Sequence, residues 1–499
     1  MRFLDTARVR LRMNERIPAR DGTELSIDVY LPPQIGRYPA LLFRTPADNN
    51  RSARSAGSVE LATGPADRWK ALAAQGFIVA AADVRGRGDS DGHFEPFSNE
   101  GSDGLVTVEW LRAHPECNGR VGAFGSGYAA FCAWAALAQG ASIDAIVSFS
   151  PFGNLAEGLV HRGGAVRLDW LFWLHLVGGR APQPAAMPSW PKIHGHWPLS
   201  ALGDVLGHSD IPWREWLSHL DRADPYWRSV DLADRLAARP VPALHVTGWW
   251  DPHLGGARYY YEAAKRAGAP QSLIVGPWDA TSVRHPRAIV GGFDFGPRSL
   301  IDPDETLVQY FGAMLRGERN AFARPVTRIF VTGRNEWIEA DGWPAARSTQ
   351  VLHLSSRSGA NTRCGDGVLG TKPGDGSDEV VHNPAVPVDF QPGFVSFASG
   401  ALTLEQAHIT GRDEALVYTT PPLAATLTVA GRPKVKLTVT AETADADLFV
   451  LLSDSFPQAR DLHLSHSVLR LGTLNGFRPG EATTVTRFRT TSSRVTASG

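Results

Sequence analysis

The sequence predicts an α/β chain: a mostly parallel sheet with helices on both faces, a helical insertion, and an antiparallel β-sandwich at the end. Three observations predict it. Short apolar runs alternate with helical stretches over residues 1–150 and again over 234–326. The alternation stops over 151–233, where proline and glycine punctuate the chain and seven of its 15 tryptophans fall. From 327 to 499 β-prone runs are separated by turn-rich stretches such as Gly359–Asp378.

Taken in order, Tyr38–Phe43 and Phe77–Val84 are short and largely apolar, as strands buried on both faces must be. Asp103–His114 carries apolar residues at helical spacing. Val121–Phe124 is a strand, Tyr128–Gln139 an alanine-rich helix, and Ile143–Phe149 the next strand. The insertion reads as a helical cap. After it, Val241–Val246 (strand), Tyr259–Ala267 (helix), Ser272–Val275 (strand) and Leu300–Arg316 (helix) restore the alternation. Thr327–Thr332, Val351–Ser355 and Pro433–Thr440 are strands of the sandwich, with a jelly roll as its expected form.

Composition narrows function by exclusion. A chain of 499 residues can bury the cores of two or three domains. Its net charge of −1 provides no footprint for nucleic acid. Cys117, Cys132 and Cys364 are too few and too widely spaced for a disulfide framework or a metal pattern, so no metal is expected. Gly86-Arg87-Gly88 is no dinucleotide fingerprint, because no G-x-G-x-x-G opens a helix there, and no cofactor is expected. No apolar run reaches membrane-spanning length, and Met1–Asp5 begins without an apolar leader core. The expectation is a cytoplasmic protein without a membrane partner.

The most informative stretch is Val121-Gly122-Ala123-Phe124-Gly125-Ser126-Gly127-Tyr128-Ala129-Ala130, which reads as strand, sharp turn, helix. In α/β-hydrolases such a turn carries G-x-S-x-G, with the nucleophilic serine at the apex. Here the apex is Gly127, and Ser126 sits one residue early. Further segments join it: Asp21–Leu25, Arg44-Thr45-Pro46, Asp83–Gly92, Glu109-Trp110-Leu111, Gly248-Trp249-Trp250-Asp251, Gly276-Pro277-Trp278, and Arg412-Asp413 ahead of Leu416–Thr420. On these residues the chain resembles the CocE/NonD family, the cocaine esterase and X-Pro dipeptidyl-peptidase group of hydrolases.

The resemblance implies an α/β-hydrolase core, a helical cap and a C-terminal jelly roll. It also implies a catalytic set, which falls mostly on residues unable to perform it. The nucleophile falls on Gly127, the general base on Ala280 and the oxyanion-hole tyrosine on Ala47; only the orienting aspartate persists, as Asp251. Three separate losses read as natural repurposing, since one substitution would suffice to trap a substrate. Family jelly rolls also continue beyond the position of Arg487–Gly499, so one or two terminal strands are expected to be absent or replaced. The sheet edge left open would be covered by a second subunit, a homodimer.

Without serine and imidazole, no ordinary acyl-enzyme can form. Asp251, deprived of the histidine it would orient, becomes a candidate general base or acid in an apolar pocket. Asp279, directly before Ala280, is a candidate second carboxylate. The Tyr128 N–H, at a helix N-terminus, is a candidate oxyanion donor. Ala47, Ser126, Gly127, Trp249, Trp250 and Ala280, with Trp170, Trp173 and His175 of the cap, are candidate walls for a bulky, flat, apolar small molecule. Ordinary core packing is the other reading of the same tryptophans.

Three functions compete. The first is a non-hydrolytic acid/base enzyme performing a Michael-type addition, cyclisation or epimerisation on a polycyclic aromatic natural-product intermediate. An enediyne or polyketide would suit, by fold-level analogy. The second is a binding or sequestration protein. The third is a residual esterase or peptidase using Ser126, with His285 as a relocated base.

Overall fold

The computed structural model describes residues 6–47, 49, 65–153, 161–180, 189, 192–193, 195–208, 210–221, 224–228, 230–344, 348–383, 385–388, 403–457, 460–489 and 496–498. They fall into two compact units. The first comprises Met1–Gly276, Ala280–Pro286 and Ile301–Arg328; the second comprises Pro277–Asp279, Arg287–Leu300 and Ile329–Gly499. The chain therefore crosses between them several times around residues 276–301.

The first unit starts with an antiparallel pair, β1 (Arg10–Pro18) and β2 (Glu24–Leu31). β3 (Tyr38–Thr45), helix α1 (Pro65–Ala74) and β4 (Ile78–Asp83) open the parallel part, where β4 is buried at every residue. Helix α2 (Glu100–Ala113), β5 (Cys117–Ser126), helix α3 (Tyr128–Gln139) and β6 (Ala145–Phe149) follow. In the cap, a two-residue hairpin, β7 (His161–Arg162) with β8 (Ala165–Val166), precedes helix α4 (Asp169–Val177). The cap's remaining described helices are short, such as Trp213–Ser218 and Pro225–Arg228. β9 (Ala243–Gly248) and β10 (Gln271–Gly276), both fully buried, complete the core around the helix Leu254–Arg266.

β1 to β6, β9 and β10 share one sheet in the order β1-β2-β4-β3-β5-β6-β9-β10, and beyond β10 the sheet continues into Thr327–Val331; the strand expected to open the sandwich at 327 is thus part of the core sheet, its entry fixed by the Leu273 N–H donating to the Val326 carbonyl at 2.8 Å. From β4 to β10 every neighbouring pair is parallel, the pattern of strands covered on both faces by helices. The helix Pro303–Arg316 shows its boundaries in sequence. Asp302 accepts hydrogen bonds from the N–H groups of Asp304 and Glu305, proline takes the first helical position, and Gly317 ends it at φ 70°. The loop Asp83–Gly92 is structural: Arg85 is clamped between Asp21 and Asp103 at 2.5 and 2.7 Å, and Arg87 donates to the carbonyls of Pro46 and Val177.

The second unit is β-rich and antiparallel in its main segment. Lys434–Val439 pairs with Thr483–Arg489, Asp447–Phe456 with Arg460–Arg470, and Leu427–Val429 with Thr496–Ser498. Besides its main segment from Ile329, the second unit takes in Pro277–Asp279 and Arg287–Leu300. Residues 490–495 and 499, within the expected truncation, lie outside the described residues.

Candidate active site

The site grows from the turn between β5 and α3. Gly127 stands there at φ 56° and ψ −116°, a region open to glycine and strained for other residues. Its N–H donates to the Phe149 carbonyl at 3.1 Å, and its own carbonyl accepts from Phe131 at 3.2 Å. Gly125 must also lack a side chain, since a Cβ there would stand 2.3 Å from the Ala129 carbonyl carbon. Strand and helix thus meet in the tight elbow read from sequence, with no side chain at its apex. The Tyr128 N–H lies in the first turn of a 12-residue helix, where it has no acceptor within the helix.

Ser126 is the last residue of β5 and pairs in register with Phe149. Strand alternation puts it on the same sheet face as Phe124, which packs on Phe43, Trp69 and Phe311. The apex residue, by contrast, belongs to the turn.

Aromatic rings crowd the apex. Phe152, just beyond β6, would meet a Gly127 Cβ at 3.4 Å. Around Phe152 pack His253 (ring centroids 4.5 Å), Trp170 (4.9 Å), Phe97 (6.3 Å) and Trp173 (6.4 Å). Trp173 stacks on Tyr128 at 5.4 Å. Trp170 and Trp173 share a face of α4 by their i,i+3 spacing. His175 does not join them: its Nδ1 lies 3.0 Å from Nε2 of His208. Ala47 is exposed, its N–H bonded to the Thr45 hydroxyl at 3.1 Å, and Ala280 is buried.

Asp251 is buried just past the end of β9 and accepts hydrogen bonds from at least three described donors. Ser150 Oγ and the His253 N–H donate to Oδ1 at 2.8 Å each, and Thr247 Oγ donates to Oδ2 at 2.7 Å. The sequence reading set Asp251 in an apolar pocket; these polar donors also surround it. Ser150 is held for this contact at φ 46°, a left-handed conformation unusual for serine. Trp249 and Trp250 are buried beside it, Trp249 N–H reaching the Gly276 carbonyl at 2.9 Å. Asp279 is buried and belongs to the second unit with Trp278, whose indole donates to the Ser299 carbonyl at 3.0 Å. The backbone N–H of His285 donates to the Thr281 carbonyl at 2.9 Å.

Sequence reasoning passed over four residues that build the site: Phe97, Ser150, Phe152 and His253. His253 stood two residues past Asp251, a spacing that returns it to the same turn. Burial pushes its imidazole well below the ordinary value, and Arg167, Arg162 and Arg284 push the same way, so it is neutral at pH 7. Beneath the elbow, the Tyr128 hydroxyl donates to Glu100 Oε1 and accepts from the Phe97 N–H at 2.9 Å. Burial raises Glu100 to about 7, against the opposing pull of the Tyr128 hydrogen bond and Arg44. Among the described residues no group of three or more His, Cys, Asp or Glu side chains is placed to hold a metal, and no helix is long and apolar enough to cross a membrane.

A largely parallel sheet of this order, with a strand–turn–helix elbow and a buried aspartate beyond a later strand, defines an α/β-hydrolase-fold protein with glycine at the apex of its elbow. The chain belongs to the X-Pro dipeptidyl-peptidase (S15) family, whose pattern matches residues 21–281. The X-Pro dipeptidyl-peptidase C-terminal non-catalytic domain matches residues 320–486. The chain is 29% identical over 491 residues to the cocaine esterase of Rhodococcus sp. (strain MB1 Bresler), covering 92% of this chain and 82% of that protein. Its fold is that of an α-amino acid ester hydrolase (TM-score 0.83, 23% identity, 100% of this chain and 88% of the other). It is shared with a CocE/NonD family hydrolase from Staphylococcus aureus (TM-score 0.62, 14% identity, 98% and 83%). The family is one of esterases and peptidases.

Proposed function

We propose that this chain is a non-hydrolytic enzyme on the hydrolase scaffold, binding a bulky aromatic substrate at the elbow and moving a proton on it. The observation that carries the reading is the apex itself. Gly127 keeps the elbow's backbone conformation while offering no atom to attack a carbonyl, and Ala280 offers no base. The Tyr128 N–H, at the positive end of α3, supports a developing enolate or phenolate oxygen. Asp251, held in place by Ser150, Thr247 and the His253 N–H, supplies the general base. The aromatic cluster of Phe97, Phe152, Trp170 and Trp173 favours a flat, polycyclic ligand such as a polyketide or enediyne intermediate. Cyclisation, epimerisation and Michael-type addition are the fitting reaction types.

A second reading, binding without turnover, is favoured by the same aspartate: both of its oxygens are already engaged by protein donors.

Two experiments test these readings. Intact-mass analysis after fluorophosphonate treatment is expected to show no adduct; stoichiometric labelling at Ser126 would restore the hydrolase reading. Native mass spectrometry against a panel of aromatic polyketides identifies ligands, whose conversion is then followed by NMR. Asp251→Asn should cut conversion on the order of 10²–10⁴-fold while affinity stays within a few-fold. Conversion that persists in Asp251→Asn overturns the assignment of the base. A ligand bound tightly and returned unchanged by the unsubstituted protein establishes binding alone.

A further inference from the structure

At the end of the sheet away from the elbow, the first unit opens a cleft of about 610 Å³. It lies where β3 and β5 begin and the helix Pro303–Arg316 ends, lined by Arg37, Tyr38, Asn118, Arg120 and Arg316 among others. Gly127 follows the far end of β5, which spans ten residues, so the cleft stands roughly 30 Å from the apex. Its volume is within the range of small-molecule sites.

The charge of the lining is one-sided. Three guanidiniums border the cleft, and no Asp or Glu is among its described lining residues. Arg316 is balanced by Glu318 at 2.8 Å. Arg37 and Arg120 have no carboxylate partner among the described residues. Both side chains are exposed, and each donates part of its guanidinium to a backbone carbonyl. Arg37 Nε and Nη2 both donate to the Cys117 carbonyl, at 3.2 and 2.9 Å, and Arg120 Nη1 donates to the Met314 carbonyl at 3.3 Å. Each guanidinium carries five N–H donors. The two together spend three of about ten on the protein, leaving roughly seven for solvent or a ligand. A guanidinium fork oriented in advance matches the paired oxygens of a carboxylate or phosphate.

We propose that this cleft, which serves no step of the function proposed above, is a binding site for a multiply charged oxyanion. Arg37 and Arg120 are its principal donors, and Arg316 adds charge at the rim. Phosphate-bearing and polycarboxylate metabolites share the chemistry these side chains recognise, and the two sources separate by experiment.

The test is isothermal titration calorimetry of the full chain at low ionic strength, with inorganic pyrophosphate and citrate as probes. Saturable binding near one equivalent is expected, weakening steeply with added salt. Arg120→Gln and Arg37→Gln are each expected to weaken it at least tenfold. Arg214→Gln, at an exposed cap arginine paired with Asp204, should leave it unchanged. Arg120 is exposed and holds a single carbonyl, so its variant keeps the fold, checked by circular dichroism. Tighter binding of pyrophosphate identifies a phosphate ligand, and tighter binding of citrate a polycarboxylate. Absence of saturable binding by both probes overturns the proposal, as does binding that Arg120→Gln leaves intact. Neither result bears on the elbow.

Discussion

Restoring a side chain at the apex should cost stability by an amount the geometry sets. At φ 56° and ψ −116°, Gly127 occupies a conformation that costs a non-glycine residue on the order of 1–3 kcal/mol. Crowding adds little, because the nearest atoms to an added Cβ are Phe152 Cε1 and Cζ at 3.4 Å, an ordinary contact distance. Gly127→Ala and Gly127→Ser should therefore each lower the unfolding free energy by about 1–3 kcal/mol, and by nearly equal amounts, since both pay for backbone strain. Guanidinium denaturation followed by tryptophan fluorescence measures the difference. Gly127→Ser with Ala280→His should in addition show weak hydrolysis of p-nitrophenyl esters, absent from either single variant. A serine tolerated at no cost would mean that the turn relaxes when substituted, refuting a pre-strained elbow. A loss above about 5 kcal/mol would mean that crowding, not backbone strain, sets the cost.

Asp251→Ala should destabilise by roughly 3–9 kcal/mol, because three buried donors lose their acceptor at about 1–3 kcal/mol each. Asp251→Asn, which keeps one acceptor oxygen, should cost clearly less; equal losses in the same denaturation assay would contradict the three-donor account. Glu100 gives a pH signature. Its folded value of about 7 lies above the ordinary 4.5, so its favourable contribution is fully present below pH 4.5 and is lost as pH rises through 7. The groups facing it are Arg44, Asp103, Tyr128 and Cys132. Relative to the unsubstituted chain, Glu100→Gln should gain on the order of 3 kcal/mol between pH 4 and pH 8, at 1.36 kcal/mol per pH unit. A flat difference across that range would show that folding leaves Glu100 at its ordinary value.

The fold was legible wherever local pattern and tertiary environment agreed. β4, β6, β9 and β10 are apolar runs because both of their faces are covered, and the helix ending at Arg316 carries its own caps. β1 and β2 escaped notice: Arg10–Pro18 is charged and mostly exposed, and its strand form depends on pairing with β2, a long-range contact that composition does not encode. At the site, the glycine at the apex was readable because it stands at a fixed place in a motif, and the structure holds it there at φ 56°. The company of Asp251 was not, because Ser150 reaches it from a distant strand end through a backbone bend that only the folded chain imposes. His175 fell the other way for a directional reason: helix geometry separates it from the face that carries Trp170 and Trp173.

The repeated crossings of the chain between its two units restrict how such a protein can be taken apart. Neither unit is an uninterrupted stretch of sequence. A cut after Arg328 leaves Pro277–Asp279 and Arg287–Leu300 attached to the first unit, stripped of the residues they fold with, including the Trp337 ring that packs on Trp278 at 5.7 Å. A cut before Pro277 removes Ile301–Arg328 from the first unit, and with it Phe311, which packs on Phe124 of β5 at 6.3 Å. Gene-level shuffling by a single breakpoint would thus expose apolar surface on whichever fragment survived.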